Sequence, residues 1–431
     1  MKKNVGFLLI LIVIPVFESF AQEQDKKFGI EFSGFVKNDM FYDSRQNVTA
    51  REGHFLLWPA PELLDPAEND INDKSNLNFL AVQSRLSGKI TGPDALGAKT
   101  SGVIEGDFFA QANDNINLFR LRHAYLHLKW TNTELLSGQY WNPLFVTGCF
   151  PGTISFNTGT PLQSFSRNPQ LRLIQYFGNL KVIAAAVTQR DFTSRGPDPA
   201  DTTNRSISIN SDFLRNSAFP DMHLQVHYNI KNEASGTDFL AGVGLAIKSI
   251  VPRLSSFENG VRYKVEEKLN SHSVIAFSKI KLAPVTLKLQ GRYGENIADV
   301  LSISGFAVKA IEDPLTGESS YTPLQNITVW GEIHTNGPAW QVGVFGGYLK
   351  NLGTKDEMSS ALNPVYGLGT NIESLLRISP RLSFTSGKVK LAGEIEYTSA
   401  AFGSNHDVNY IPENTSAVAN TRVLISTIYS F

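Results

Sequence analysis

The chain has 431 residues, and its 39 lysines and arginines nearly match its 40 aspartates and glutamates, which gives a formal net charge of −1. This balance excludes nucleic acid as the main partner, because proteins that bind a nucleic-acid backbone carry a strong basic excess. The single cysteine excludes an intrachain disulfide and a cysteine-based zinc cluster. With 42% hydrophobic and only 18% charged residues, the chain is expected to fold, yet it is poor in charge for its size.

The first residues have the features of a secretory signal peptide. A basic pair, Lys2 and Lys3, precedes an apolar run of about a dozen residues, and Ser19 and Ala21 stand at the small-residue positions of a cleavage site. An uncleaved anchor helix is the alternative, but the run is too short to span a bilayer comfortably. We therefore predict export and removal of residues 1–21.

The remaining part, residues 22–431, is predicted to be a single domain built from strands. Apolar and polar residues alternate along the segments 222–230, 285–293 and 388–397, which indicates strands with one apolar and one polar face. No helical periodicity of comparable length stands out. In chain order we predict about sixteen strands, near residues 29–43, 76–91, 102–109, 118–130, 134–141, 168–177, 180–189, 222–230, 237–250, 271–282, 285–294, 326–334, 339–349, 374–384, 388–399 and 417–431.

The length and spacing of these strands favour a membrane barrel over a soluble β-sandwich. Many of the strands have ten or more residues, whereas about five or six are usual in globular proteins. Their apolar faces carry aromatic residues near the strand ends, and short turns alternate with long loops, as in outer-membrane barrels. The sequence thus predicts an all-β, transmembrane antiparallel β-barrel of about sixteen strands, with short periplasmic turns, long outer loops and no open sheet edge.

The end of the chain supports this interpretation. Phe431 is the last residue, and Tyr429 precedes it on the same face of the last predicted strand. This ending resembles the C-terminal signal that the barrel assembly machinery recognises in bacterial outer-membrane barrels, although other β-proteins also end in an apolar strand. Together with the signal peptide, it predicts insertion into the bacterial outer membrane, with membrane lipid and the assembly machinery as partners.

A barrel of this strand number is too wide for side chains to fill, so it is expected to hold an aqueous channel. Opposed charges on its inner face would create a field that selects solutes by charge. Beyond Arg122 the alternation would also turn Ala124 and Leu126 inward, which either a β-bulge or packing against a loop would reconcile. The candidate pore-lining residues are Arg85, Glu105, Asp107, Arg120, Arg122, Arg167, Arg172 and Arg292.

The third long connection, residues 142–167, is the candidate constriction loop. It has no charged residue from Asn142 to Ser166 and contains four phenylalanines, whereas an exposed surface loop is usually more polar. Folding into the lumen would explain this composition, and contact with a neighbouring subunit is the alternative. We interpret Cys149, which lies within the loop, as incidental rather than reactive.

Short segments resemble a known family. The segments Ser33–Gln46, Arg51–Phe55 and Phe119–Tyr125 are similar to the DcaP-like outer-membrane porins of Bacteroidota. The resemblance implies a homotrimeric channel that prefers small anions such as dicarboxylates. We therefore expect a porin for passive diffusion of small hydrophilic solutes, without a cofactor, a metal site or enzymatic activity. The alternative is an outer-membrane barrel with an enzymatic, binding or adhesive role on its outer loops.

Overall fold

The computed structural model describes residues 28–201, 203 and 205–431, so the predicted signal peptide, residues 1–21, lies outside the described residues. Sixteen antiparallel strands form a closed barrel, and each lies at a predicted strand position. In chain order they are β1 (Gly29–Asp43), β2 in two parts (Asn76–Leu80 and Arg85–Thr91), β3 (Lys99–Asp107), β4 (Arg120–Lys129), β5 (Thr133–Trp141), β6 (Arg167–Phe177), β7 (Leu180–Val187), β8 (Asp221–Asn232), β9 (Thr237–Ile250), β10 (Leu269–Lys281), β11 (Val285–Glu295), β12 (Glu318–Thr335), β13 (Trp340–Thr354), β14 (Ile372–Ser386), β15 (Val389–Phe402) and β16 (Ser416–Ser430).

The barrel closes because its first strand pairs with its last. β1 pairs with β2 along one edge and with β16 along the other, in a register that places Phe35 opposite Ser430. Two backbone hydrogen bonds between Gly34 and Phe431, 3.1 and 3.3 Å long, complete the seam. Closure leaves no barrel strand among the described residues with an open edge, which is what a sheet in lipid requires.

The connections alternate between the two ends of the barrel. Seven connections at one end are short, including the two-residue turns 178–179 and 387–388. Eight connections at the other end are longer, including 44–75, 142–166 and 188–220. In outer-membrane barrels the short turns face the periplasm and the long loops face the exterior. We call these two ends the turn end and the loop end.

The two faces of the barrel wall differ in exposure and polarity. Along β15, Leu391 and Ile395 are each 49% exposed on the outer face, whereas Glu394 and Glu396 on the inner face are 2% and 1% exposed. An apolar outer face suits contact with hydrocarbon, and the polar residues are directed to the interior. Among the described residues, no helix is long and apolar enough to cross a membrane.

Packed side chains occupy part of the interior at the loop end. The largest apolar cluster joins the inward-facing Trp330 of β12 to the loop residues Phe55 and Phe156. Phe55 belongs to a hairpin of residues 47–59, and Phe156 belongs to the connection 142–166. Two loops therefore pack against the inner side of the wall as well as against each other.

The long loops also contain short elements that the sequence did not predict. The strand Ser304–Asp313 pairs with the loop end of β12 and with Val365–Leu368, and so extends the sheet beyond the barrel. The remaining short elements are the hairpin strands Asn47–Ala50 and Phe55–Pro59, Arg195–Pro197 and Ile207–Ile209, Ser255–Glu258 and Val261–Lys264, Asn405–His406 and Pro412–Glu413, the α-helix Asp212–Arg215, and the 3₁₀ turns Asn113–Asn115 and Ala298–Val300.

Candidate functional site

The connection 142–166 runs along the inner side of the wall and is held there by strand side chains. Gln225 on β8 donates a hydrogen bond to the Pro143 carbonyl at 2.8 Å, and Lys288 on β11 donates one to the Phe150 carbonyl at 2.9 Å. Because both donors face inward, the first half of the loop follows the wall from β8 to β11.

Two inward-facing carboxylates hold the middle of this loop. Glu332 on β12 accepts a hydrogen bond from the backbone N–H of Gly152 at 2.5 Å. Glu394 on β15 accepts two, from the backbone N–H groups of Ile154 and Ser155 at 2.5 and 3.3 Å. The backbone of residues 152–155 is therefore tied to two strands far from the ends of the loop.

Arginine side chains hold the returning half of the loop. Arg377 on β14 donates to the Thr160 carbonyl at 2.5 Å. Arg292 on β11, only 1% exposed, donates to the hydroxyls of Ser164 and Ser302 at 2.5 and 2.6 Å. The structure thus places Arg292, one of the predicted pore-lining residues, between the loop and the wall and away from the other candidates.

Five of the other candidates form a network of ion pairs at the loop end of β2, β3 and β4. Arg120 and Arg122 both pair with Asp107, at 2.9 and 2.8 Å. Arg122 also pairs with Glu105 at 2.8 Å, and Arg85 lies 3.7 Å from the same carboxylate. The structure therefore brings these residues together, with each arginine next to a carboxylate.

A carboxylate that the sequence analysis missed links Arg167 to this network. Asp191, in the loop after β7, pairs with Arg167 at 2.6 Å and with Arg120 at 3.4 Å. Burial alone would raise the pKa of Asp191, but Arg167 and Arg120 outweigh burial and hold the pKa below its usual value. No sequence signal marks Asp191, because its position depends on how a long loop folds back. We call Arg85, Arg120, Arg122 and Arg167, with Glu105, Asp107 and Asp191, the arginine cluster.

Aromatic rings cover part of the arginine cluster. The guanidinium of Arg120 lies 5.2 Å from the ring of Phe109, and that of Arg167 lies 5.0 Å from the ring of Trp141. Such cation–π contacts stabilise cations that have lost water. Arg120, Arg122 and Arg167 are only 8%, 3% and 1% exposed. Most of each guanidinium is therefore part of the packed interior.

A β-bulge explains the irregular alternation after Arg122. In the pairing of β3 with β4, Glu105 lies opposite His123 and Gly106 lies opposite Leu121, so Arg122 is an extra residue. A bulge of this kind places two residues opposite one and redirects the side chains that follow. Accordingly, Arg122 and His123 are both buried, whereas Leu121 is 53% exposed on the outer face. The bulge is one of the two explanations that the sequence left open.

Arg172 on β6 stands apart from the arginine cluster. Its guanidinium donates to the Gln170 side chain at 2.9 Å and to the Trp141 carbonyl at 2.7 Å, and it lies 5.1 Å from the ring of Tyr140. Among the described residues, no carboxylate forms an ion pair with Arg172. It is therefore a cation without a matching anion on this part of the inner wall.

Four inward-facing cations nearer the turn end were not singled out by the sequence analysis. They are Lys181, Lys279, Arg381 and Lys390, each placed on the inner face by the pairing register. Lys279 pairs with Asp238 at 2.8 Å, and Arg381 is hydrogen-bonded to an anchor carboxylate of the loop at 2.7 Å. Lys181 and Lys390 form no ion pair within the described part of the chain. The alternation of polar and apolar residues along the strands was the sequence signal that could have identified all four.

Comparison with solved structures finds the same fold at low sequence identity. The crystal structure of the outer membrane channel DcaP of Acinetobacter baumannii is 16% identical, with a TM-score of 0.67, and the match covers 95% of this chain and 99% of that one. The anion-selective porin from Comamonas acidovorans is 11% identical, with a TM-score of 0.52 and coverage of 94% and 100%.

A third structure with this fold is the trimer form of OmpT, an outer membrane protein of Vibrio cholerae. It is 10% identical, with a TM-score of 0.51, and the match covers 94% of this chain and 99% of that one. At these identities the comparisons establish the barrel fold alone. A scan against protein-family models finds no match for this chain, and a search of curated proteins finds none either.

Proposed function

We propose that the chain is an outer-membrane porin, a water-filled channel through which small hydrophilic solutes diffuse passively. The observation that carries this proposal is a closed wall that is apolar and exposed outside, and polar and charged inside. Closed barrels of this width commonly enclose an aqueous channel. The likeness to the DcaP channel supports both the porin function and membership of the DcaP-like porins.

The proposal places the protein in the bacterial outer membrane. The segment 1–21 directs export across the inner membrane. The last strand then presents Tyr429 and Phe431 on the outer face, where they are 53% and 49% exposed. Both rings are thus accessible to the barrel assembly machinery as a C-terminal signal, and to lipid after insertion.

Within this channel, the connection 142–167 acts as the constriction loop. Its anchors Glu332 and Glu394 lie on β12 and β15, on the far side of the lumen from β5 and β6, where the loop begins and ends. The loop therefore lies against the β8–β15 side of the wall. Its Phe156 also stacks on Phe109, with 4.0 Å between the ring centroids, so the loop reaches across the lumen to the β2–β7 side, which carries the arginine cluster.

The channel prefers anions. Arg172 and Lys181 lie on the inner face of the wall without an ion pair among the described residues, whereas Glu105 and Asp107 are neutralised by arginines. An excess of fixed positive charge along a narrow water-filled path raises the local concentration of anions. That a porin with this fold is anion-selective in Comamonas acidovorans is consistent with this proposal.

The functional unit is a homotrimer. The strands β3, β4 and β5 have only 9, 10 and 9 residues, so the barrel wall is short along the barrel axis on this side. Its outer face carries the exposed side chains of Ile104, Phe119 and Leu121, which a neighbouring subunit would cover. OmpT of Vibrio cholerae, with the same fold, has a trimer form. A trimer should appear as a slow band on gels of unboiled protein and convert to the monomer on boiling.

The direct test of passive diffusion is the swelling of liposomes that contain the purified, folded protein. The proposal predicts that these liposomes swell in isotonic solutions of small uncharged sugars, and that the rate falls steeply with the size of the sugar. Liposomes with the boiled protein are the control and should not swell. Equal rates with folded and boiled protein would show that the barrel is closed to solutes.

A further inference from the structure

Lysines are concentrated at the mouth of the barrel at the turn end. The strand register places Lys99 opposite Lys129, and it places Lys231 and Lys281 on either side of Asp238. The alternation along each strand directs these side chains to the inner face of the wall. We call the nine lysines at this mouth the lysine ring, and they are Lys89, Lys99, Lys129, Lys181, Lys231, Lys279, Lys281, Lys388 and Lys390.

Most of the lysine ring is not neutralised by carboxylates. Lys129 pairs with Glu134 at 3.1 Å and Lys279 pairs with Asp238 at 2.8 Å, whereas the other seven lysines form no ion pair within the described residues. Six carboxyl groups of the described chain lie at this mouth, namely those of Glu31, Asp94, Glu134, Glu233, Asp238 and the C-terminus. Nine lysines and six carboxyl groups leave an excess of three positive charges. The lysines that are exposed to solvent are Lys89, Lys99, Lys129, Lys231, Lys281 and Lys388.

The loop end carries the opposite charge. Its eight connections together contain thirteen lysines and arginines but twenty-one aspartates and glutamates, which leaves an excess of eight negative charges. The connection 44–75 contributes most, with three basic and six acidic residues, among them the exposed Glu62, Glu68 and Asp73. The two mouths of the barrel therefore differ in the sign of their fixed charge.

Fixed charge of opposite sign at the two mouths makes ion flow depend on direction. The acidic loop end concentrates cations, and the lysine ring concentrates anions. When the loop-end compartment is positive, each ion enters at the mouth that attracts it, and both ions accumulate in the lumen. The opposite voltage draws both ions out, and the lumen is depleted of carriers.

We propose that the channel rectifies ionic current, conducting better when the loop-end compartment is positive, and that the lysine ring determines this effect. The inference rests on the proposed channel function and adds a direction to its preference for anions.

The test is the current of single channels in planar bilayers with equal potassium chloride on both sides. In about 0.1 M salt, where the Debye length is about 10 Å, the currents at equal and opposite voltages should differ about twofold. In about 1 M salt the Debye length falls to about 3 Å, and the ratio of the two currents should approach one. Acidifying one compartment to pH 3 identifies the loop end, because protonating its carboxylates abolishes the asymmetry only from that side.

The test variant carries the three substitutions Lys231→Gln, Lys281→Gln and Lys388→Gln. These remove three exposed charges, as many as the excess at the turn-end mouth. The ratio of the two currents in about 0.1 M salt should fall from about two to near one. The matched control replaces three exposed lysines of the loop end, Lys74, Lys264 and Lys268, with glutamine, and its ratio should not fall. Equal heat-modifiable bands on gels would show that both variants fold as the wild type does.

The outcomes separate rectification from the channel function itself. A wild type that inserts in conductance steps but passes equal currents at both voltages overturns rectification alone. A larger current with the loop-end compartment negative, or a triple variant that rectifies as strongly as the wild type, overturns it as well. Folded protein that inserts without any conductance step contradicts the channel function on which the inference rests.

Discussion

At the residue scale, three carboxylates determine whether the arginine cluster can be buried. Asp107 accepts hydrogen bonds from both Arg120 and Arg122 and is itself fully buried. Removing one partner of such a pair leaves a buried charge uncompensated, which costs about 3–5 kcal/mol. Alternation in the sequence placed these residues on one face. It could not show that they neutralise one another, because that depends on the bulge at Arg122 and on a loop residue, Asp191.

Asp191 should make the stability of the protein sensitive to acid. Its folded pKa is lowered, so its contribution is fully present above the unfolded value of about 3.9 and is lost as the pH falls through the lower folded value. Asp191→Asn should be less stable by about 3 kcal/mol at pH 7. Its free energy of unfolding in urea should also fall less than that of the wild type between pH 7 and pH 3. If the free energy of unfolding had the same pH dependence in the variant and the wild type, this role of Asp191 would be contradicted.

The bulge beside Arg122 requires a glycine on the neighbouring strand. A Cβ at Gly106 would meet the ring of Phe119 and lie 2.8 Å from the Arg120 carbonyl. Gly106→Val should therefore lower the free energy of unfolding by about 1–3 kcal/mol. Gly393→Ala is the matched control, since a Cβ there would lie 3.8 Å from its nearest neighbour. Equal urea midpoints for the two variants would show that the bulge tolerates a side chain.

At the element scale, the connection 142–166 is held by contacts that join distant parts of the sequence. The hydrogen bond between Ile154 and Glu394 joins residues 240 positions apart. Side chains of β8, β11, β12, β14 and β15 all contribute to its anchoring. Because the contacts are spread around the wall, losing one should loosen the loop locally without releasing the whole loop.

Glu394→Gln tests this local loosening. The variant alters two hydrogen bonds that the Glu394 carboxyl group accepts from the backbone of Ile154 and Ser155, each contributing about 0.5–1.5 kcal/mol. We expect noisier open-channel current and a higher single-channel conductance, measured in planar bilayers. Glu312 is exposed on an outer strand, and Glu312→Gln should conduct as the wild type. Unchanged noise and conductance in Glu394→Gln would mean that the loop does not narrow the passage.

The sequence predicted the barrel strands well and the loops poorly, for a physical reason. A strand between lipid and water needs alternating side chains, so β1 and β9 could be delimited to the residue from the pattern alone. The hairpin of residues 47–59 and the strand Ser304–Asp313 do not separate lipid from water, so they need no such alternation. Their structure depends on packing against other loops, and no local pattern encodes it.

At the scale of the whole molecule, closure of the barrel depends on the seam between β1 and β16. A Cβ at Gly34 would collide with the Arg85 carbonyl and lie 2.8 Å from the ring of Phe431. Gly34→Val should therefore sharply reduce the amount of folded barrel in outer-membrane fractions, seen as loss of the heat-modifiable band on gels. Gly291→Ala, with 3.9 Å to the nearest atom, should assemble normally. Normal assembly of Gly34→Val would show that the seam adapts to a side chain.

The net charge of −1 does not show how unevenly the unpaired charges of the molecule are distributed. Glu332 and Glu394 are engaged by the backbone of the connection 142–166, and Asp107 is engaged by arginines. Arg172 and Lys181, in contrast, face the interior with no ion pair among the described residues. In the proposed channel, solutes would therefore meet more available positive than negative charge, and this distribution would decide which solutes pass.

The central claim, a water-filled and anion-preferring channel, is tested most directly in planar bilayers under a potassium chloride gradient. The wild-type protein should insert in discrete conductance steps, and its reversal potential should have the sign of chloride preference. Replacing both Arg172 and Lys181 with glutamine should move that potential toward zero. Folded protein that inserts without any conductance step, or that prefers potassium, would contradict the account.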